Sequence, residues 1–134
     1  MHAVVHGERT LTDLDFARLT KLLPSEQLPS AFSEMLDGAE VTSRRDIPND
    51  VVTMYSRIEI VDVHTSRRQV LTVCYPRDAQ PFAGFISVLS PVGSSLLGLK
   101  VRDIAKWLTP NGEQCAAEIV AVHYQPEDSG DYTR

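Results

Sequence analysis

The sequence predicts an α+β fold: a short N-terminal antiparallel helical hairpin, then an antiparallel β-sheet domain carrying one short helix. Three observations predict it. Apolar residues recur at helical spacing over 12–41. Branched and aromatic residues dominate 51–126 in short runs divided by turn residues. Between these runs, SPVGSSLLG (90–98) encloses barely two helical turns between a Ser-Pro start and a Gly stop. The division falls at residues 45 and 46, giving a helical segment 1–45 and a sheet domain 46–134.

Thr12 is the N-cap of the first helix, with Asp15 three positions on as an approximate capping box. Leu14, Phe16, Leu19, Leu22 and Leu23 form its broad apolar face, and Pro24 closes it. Ser25 to Leu28 form a connector, and Pro29-Ser30 starts a second helix. There Ala31, Phe32, Met35, Leu36 and Ala39 fall within one arc of about 140° at 100° per residue. Two such helices joined by a short connector predict a stubby antiparallel hairpin, each helix roughly 16 Å long.

Past Pro48-Asn49-Asp50 the texture becomes β. Strands are expected over 51–63, 69–76 and 85–90, with HTSRR as a turn and RDAQPFAG as a loop. The short helix runs from Pro91 to Leu97; Ser90 caps its first turn and Pro91 suits its first position. Leu96 and Leu97 face the sheet, and Gly98 takes the left-handed conformation that ends a helix. Val92 and Gly93 are expected as an exposed shoulder. Strands over 103–109 and 113–126 flank Asn111-Gly112, a strong hairpin signal. The tail EDSGDYTR is polar and reads as loosely held.

The chain has 134 residues, 43% hydrophobic and 23% charged, ordinary for a globular domain able to bury a real core. Its net charge of −5 disfavours nucleic-acid contact, since phosphate backbones reward clustered positive charge. Arg44-Arg45 and Arg67-Arg68 read as solvated surface beside turns. Cys74 and Cys115 stand apart, without a CxxC or histidine neighbour, and read as reduced thiols packing as small hydrophobes. No leader and no run of about 20 apolar residues is seen, so no membrane association is expected and the chain reads as cytoplasmic.

Catalytic and metal signatures are sparse. His2, His6, His64 and His123 form no convergent ligand set, so no metal and no other cofactor is expected. No GxSxG elbow and no glycine-rich phosphate loop occurs. Asp37 and Glu40 have helical DxxE spacing, but they read as a solvent face at the exit of the second helix. A compact, non-enzymatic binding module remains.

The residues ISVLSPVGSSLLGLKVRD (86–103) resemble the segment that marks the C-terminal domain of the bacterial transcript-cleavage factors GreA and GreB. DVVTMYS (50–56), CYP (74–76) and YQPEDSGDY (124–132) look like the Gre-like family named for regulating nucleoside diphosphate kinase. The resemblance spans about residues 46–132, with four separated motifs in order. It implies an FKBP-like sheet domain preceded by a coiled-coil hairpin. It also implies docking on RNA polymerase beside the secondary channel, through an acid-Ser-Pro at the start of the short helix. Ser90 and Pro91 match that motif while Leu89 replaces the acid, and Ser87 and Val92 flank it.

In Gre factors, by resemblance, acids at the hairpin tip hold a metal for RNA cleavage. The corresponding Ser25, Glu26 and Gln27 offer one carboxylate, too few to hold magnesium in that manner. Arg102 stands where the family usually has Gly. The expected function is a monomeric RNA polymerase-binding regulator that competes with Gre factors without stimulating cleavage. Two alternatives stand beside it: an FKBP-like prolyl isomerase, for which the aromatics look too dispersed along the chain, and a protein-binding regulator of nucleoside diphosphate kinase levels.

Overall fold

In the computed structural model, which describes residues 9–22, 24 and 27–133, Thr12 caps the first helix as expected. Its hydroxyl accepts the Asp15 N–H at 3.0 Å, satisfying one of the unpaired donors of helix α1 (Asp13–Thr20). The helix is shorter than its apolar spacing suggests. The Lys21 and Leu22 N–H groups bond back to the Arg18 and Leu19 carbonyls, a tightened turn that ends it. Helix α2 (Ser30–Asp37) buries Phe32, Met35 and Leu36 and stops at Gly38.

Residues Ala39–Thr42, read in part as helix, form a strand instead. This strand, β2, pairs in parallel with β1 (Arg9–Thr12), from Arg9 opposite Ala39 to Thr12 opposite Thr42. The two helices between them form the crossover that a parallel pair requires. Apolar spacing could not show this, because each strand has only four residues and its partner lies about thirty positions away.

The main sheet comprises β3 (Arg57–Asp62), β4 (Arg68–Cys74), β5 (Phe85–Ser87), β6 (Ile104–Leu108) and β7 (Gln114–Tyr124), in the order β5-β4-β3-β7-β6. All neighbours are antiparallel except β4 and β5, which run parallel. The expected all-antiparallel sheet is therefore corrected at one edge. Residues 75–84 fold into two 3₁₀ turns, Pro76–Asp78 and Pro81–Ala83, and bring the chain back just far enough for β5 to run beside the last three residues of β4, Thr72–Cys74. The Asn111-Gly112 turn joins β6 to β7, with Gly112 at φ +84°. Helix α3 (Pro91–Leu96) lies on the sheet.

VVTMYS (51–56) is wholly buried yet is not the expected strand. It is a loop whose amides all find partners. Val52 donates to Leu99 O, Thr53 to Ser56 Oγ, Met54 to Asp15 Oδ2, Tyr55 to Val73 O and Ser56 to Thr53 O. Its branched residues record burial rather than a ladder, and only paired amides let such a loop sit inside the protein.

One continuous core contains Leu11, Leu19 and Phe32 from the N-terminal segment together with Ile58, Val73, Leu96, Leu97 and Ile119 from the sheet and α3. The tail is anchored rather than loose. Gln125 Nε2 donates to Pro48 O and Val51 O, Arg44 Nη1 reaches Tyr132 O, and the Arg45 guanidinium lies 4.6 Å from the Tyr132 ring centre. The Arg44-Arg45 pair, expected as free surface, thus ties down the chain end. Among the described residues no helix is long and apolar enough to cross a membrane.

Candidate docking site

The turn from β5 into α3 is built around Ser90. Its hydroxyl donates to the Ser87 carbonyl at 2.7 Å and accepts the Gly93 N–H at 3.1 Å, while its N–H also reaches Ser87 O at 3.0 Å. Ser87 Oγ accepts the Leu89 N–H at 3.1 Å. Both serine hydroxyls are thus committed to the turn itself. Gly93 packs so closely on β5 that a methyl group there would fall 2.1 Å from Ser87 O. The expected exposed shoulder is only half present, because Gly93 is buried, Val92 is half-buried and Pro91 alone is exposed. Leu89 and Val92 rest against the core.

The far end of α3 is gripped from the start of β1. Arg9 Nη1 donates to the carbonyls of Ser94 at 2.8 Å, Ser95 at 3.2 Å and Leu97 at 2.8 Å. A cation at a helix C-terminus satisfies orphan carbonyls and opposes the negative end of the dipole. Burial lowers the pKa of this guanidinium, and the charge of Asp103 partly offsets that. Gly98 follows at φ +84°, as expected, and a side chain there would press on the Arg9 side chain. Arg9 carries no signal in the sequence, since it precedes the first periodic run. Together the Ser90 cap and the Arg9 clasp hold α3 at a set angle to β5.

Ser87, Leu89, Ser90, Pro91 and Val92 thus form one closely bonded turn with no charged side chain, of which Pro91 is the exposed point. Of the connector residues, Ser25 and Glu26 lie outside the described residues. Gln27 is exposed, and its N–H donates to Pro24 O at 2.8 Å on a separate segment. Asp37 and Glu40 are exposed and do not share a helix, because Asp37 ends α2 and Glu40 lies in β2.

Beneath α1 lies a buried pair of acids that the capping-box reading missed. Asp15, 1% exposed, accepts the Met54 N–H at 3.1 Å. Glu127 accepts the Thr53 hydroxyl at 2.7 Å. Desolvation pushes the Asp15 carboxyl up to about 7, with the Glu127 charge adding to the rise and the Met54 hydrogen bond opposing it. Burial raises Glu127 as well. The available signal was position: Asp15 precedes Leu19 by four residues and so shares its buried face.

Residues 47–124 match the family described as transcription elongation factor, GreA/GreB, C-term. The chain belongs to the GreA/GreB family. It is 35% identical over 127 residues to the regulator of nucleoside diphosphate kinase of Escherichia coli (strain K12), spanning 91% of this chain and 93% of that protein. Transcription elongation factor GreA of Helicobacter hepaticus is 32% identical over 91 residues, 68% of this chain and 55% of that protein. The chain thus spans about half the length of such GreA relatives. A solved prokaryotic transcription elongation factor GreA/GreB from Nitrosomonas europaea shares 35% identity and a TM-score of 0.71, covering 87% of this chain and 98% of that one. These relations make the chain a regulator of the transcription-elongation-factor type.

Proposed function

We propose that this chain docks on RNA polymerase beside the secondary channel through Ser87–Val92, competes there with Gre factors, and does not stimulate transcript cleavage. Support for docking comes from the turn itself: Ser90 and Pro91 match the contact motif that the resemblance implies and are held in place by Gly93 and Arg9. Leu89 makes the contact apolar where Gre factors are charged.

The observation that carries the absence of cleavage is the size of the helical segment. Helices α1 and α2 have eight residues each, about 12 Å at 1.5 Å per residue, and they bury Leu19 and Phe32 in the shared core. A segment so short and so committed to packing supplies no long arm. Its connector also holds only one carboxylate, Glu26.

The test is competition on stalled polymerase complexes containing a Gre factor. Added protein is expected to displace the factor and lower RNA cleavage, while the protein alone leaves cleavage at background. Pro91→Ala combined with Ser90→Asp is expected to abolish displacement. Faster cleavage with the protein alone, or undiminished displacement by the double variant, overturns the reading.

A further inference from the structure

The face of the main sheet opposite the core carries a feature that the Ser-Pro turn does not explain. Strand register places Phe85 opposite Thr72, Thr72 opposite Arg57, and Arg57 opposite Tyr124. These four residues form one row across β5, β4, β3 and β7. At about 4.8 Å between strands, the row spans roughly 14 Å. It floors a groove of about 430 Å³ that Tyr55 and Val70 also line.

Val70 is 49% exposed, Phe85 36% and Tyr124 36%, and Phe82, on the 3₁₀ turn just before β5, is fully exposed. Three aromatics from distant parts of the sequence, Tyr55, Phe85 and Tyr124, thus line one groove. The groove also holds a cation without a counterion. Among the described residues Arg57 makes no ion pair and no side-chain hydrogen bond. Glu59, the nearest acid along β3, already accepts Arg68 at 2.7 Å and His123 at 2.9 Å. Asp78, beyond Tyr55, takes the Tyr55 hydroxyl and lies 4.0 Å from Arg77.

Exposed apolar and aromatic side chains around an unpaired guanidinium have the composition that dominates protein interfaces. Phe85 and Ser87 are two residues apart on β5 and so point to the same side. The row of residues that floors the groove therefore leads along β5 toward Ser87 and the turn into α3, which supplies no charge of its own.

We infer that this groove receives an apolar segment of the polymerase bearing a carboxylate, whose acid pairs with Arg57 while its apolar side chain lies between Phe85, Val70 and Tyr124. A guanidinium matches a carboxylate with two parallel hydrogen bonds, so Arg57 fixes the register of the contact as well as its affinity. This rests on the docking reading above and extends it from the turn to the sheet face.

The test measures binding of the full chain to core RNA polymerase for wild type, Arg57→Glu, Arg57→Lys, Phe85→Ser and Pro91→Ala, with thermal unfolding run on each variant. All three positions are exposed, so unfolding is expected to stay near wild type. Arg57→Glu is expected to weaken binding about tenfold or more, and Phe85→Ser about fivefold. Arg57→Lys, which keeps the charge but loses the fork, is expected to weaken it about threefold. If Arg57→Glu and a stably folded Phe85→Ser bind like wild type while Pro91→Ala does not, the groove is not a contact and the docking reading survives. If wild type itself fails to bind, the docking reading falls and this inference falls with it.

Discussion

Replacing Asp15 with asparagine is expected to stabilise the protein at neutral and alkaline pH and to leave it nearly unchanged in acid. The carboxyl is 1% exposed, and burial pushes it from its ordinary 3.8 to about 7. That rise corresponds to roughly 4 kcal/mol at 1.36 kcal/mol per pH unit. Because the folded pKa lies above the unfolded one, the folded state binds the proton more tightly. The resulting stability is fully present below the ordinary carboxylate range and is lost as pH rises to about 7.

Asparagine keeps the shape, and its carbonyl can still accept the Met54 N–H, but it never carries the buried charge. Its second amide hydrogen needs an acceptor, so the net gain is expected at about 1–3 kcal/mol near pH 8, short of the full 4. Removing the charge also relieves Glu127, which acts in the same direction. The assay is urea unfolding of both proteins from about pH 4 to pH 8, comparing the difference in stability at each pH. That difference is expected to grow with pH in favour of the variant. A constant difference, or one that shrinks as pH rises, would refute the buried-charge argument.

Three further outcomes follow from named contacts. Gly93→Ala is expected to cost about 2–4 kcal/mol by chemical denaturation, because its methyl group meets backbone at Ser87 O and cannot be relieved by a rotamer change. Arg9→Met is expected to cost about 2–4 kcal/mol and to speed amide exchange in α3, since three carbonyls lose a charged donor. Arg102→Gly is expected to stabilise by about 0.5–1 kcal/mol, read as a rise in Tm, because Arg102 is held at φ +83° where a side chain is strained and glycine is not. A fall in Tm for that variant would show that the arginine side chain makes up for its own strain.

The Arg102 result bears on what was legible beforehand. The resemblance implies glycine at this position, where the chain has arginine, and the turn keeps its form all the same. The residue adopts the left-handed conformation, and its N–H bonds to Ile119 O at 2.7 Å. Ser90, Pro91 and Gly98 were equally legible, because capping and positive φ depend on neighbours within four residues. The turn from β5 into α3 could therefore be placed from the sequence, whereas the row through Arg57 could not. Its four residues come from four strands, and nothing local to Arg57 or Phe85 shows that Thr72 lies between them.

Local chemistry determined the α+β class, the cap at Thr12, the stripe of α2, the Asn111-Gly112 turn and the short helix, since each depends on backbone geometry or periodicity within a few residues. Tertiary contact alone decided that 51–56 is a buried loop, that β5 runs parallel to β4, that β1 and β2 pair, and that Arg9 clasps α3. Those outcomes turn on which distant groups satisfy a buried amide, carbonyl or charge. A lone residue's identity carries no record of a partner eighty positions away.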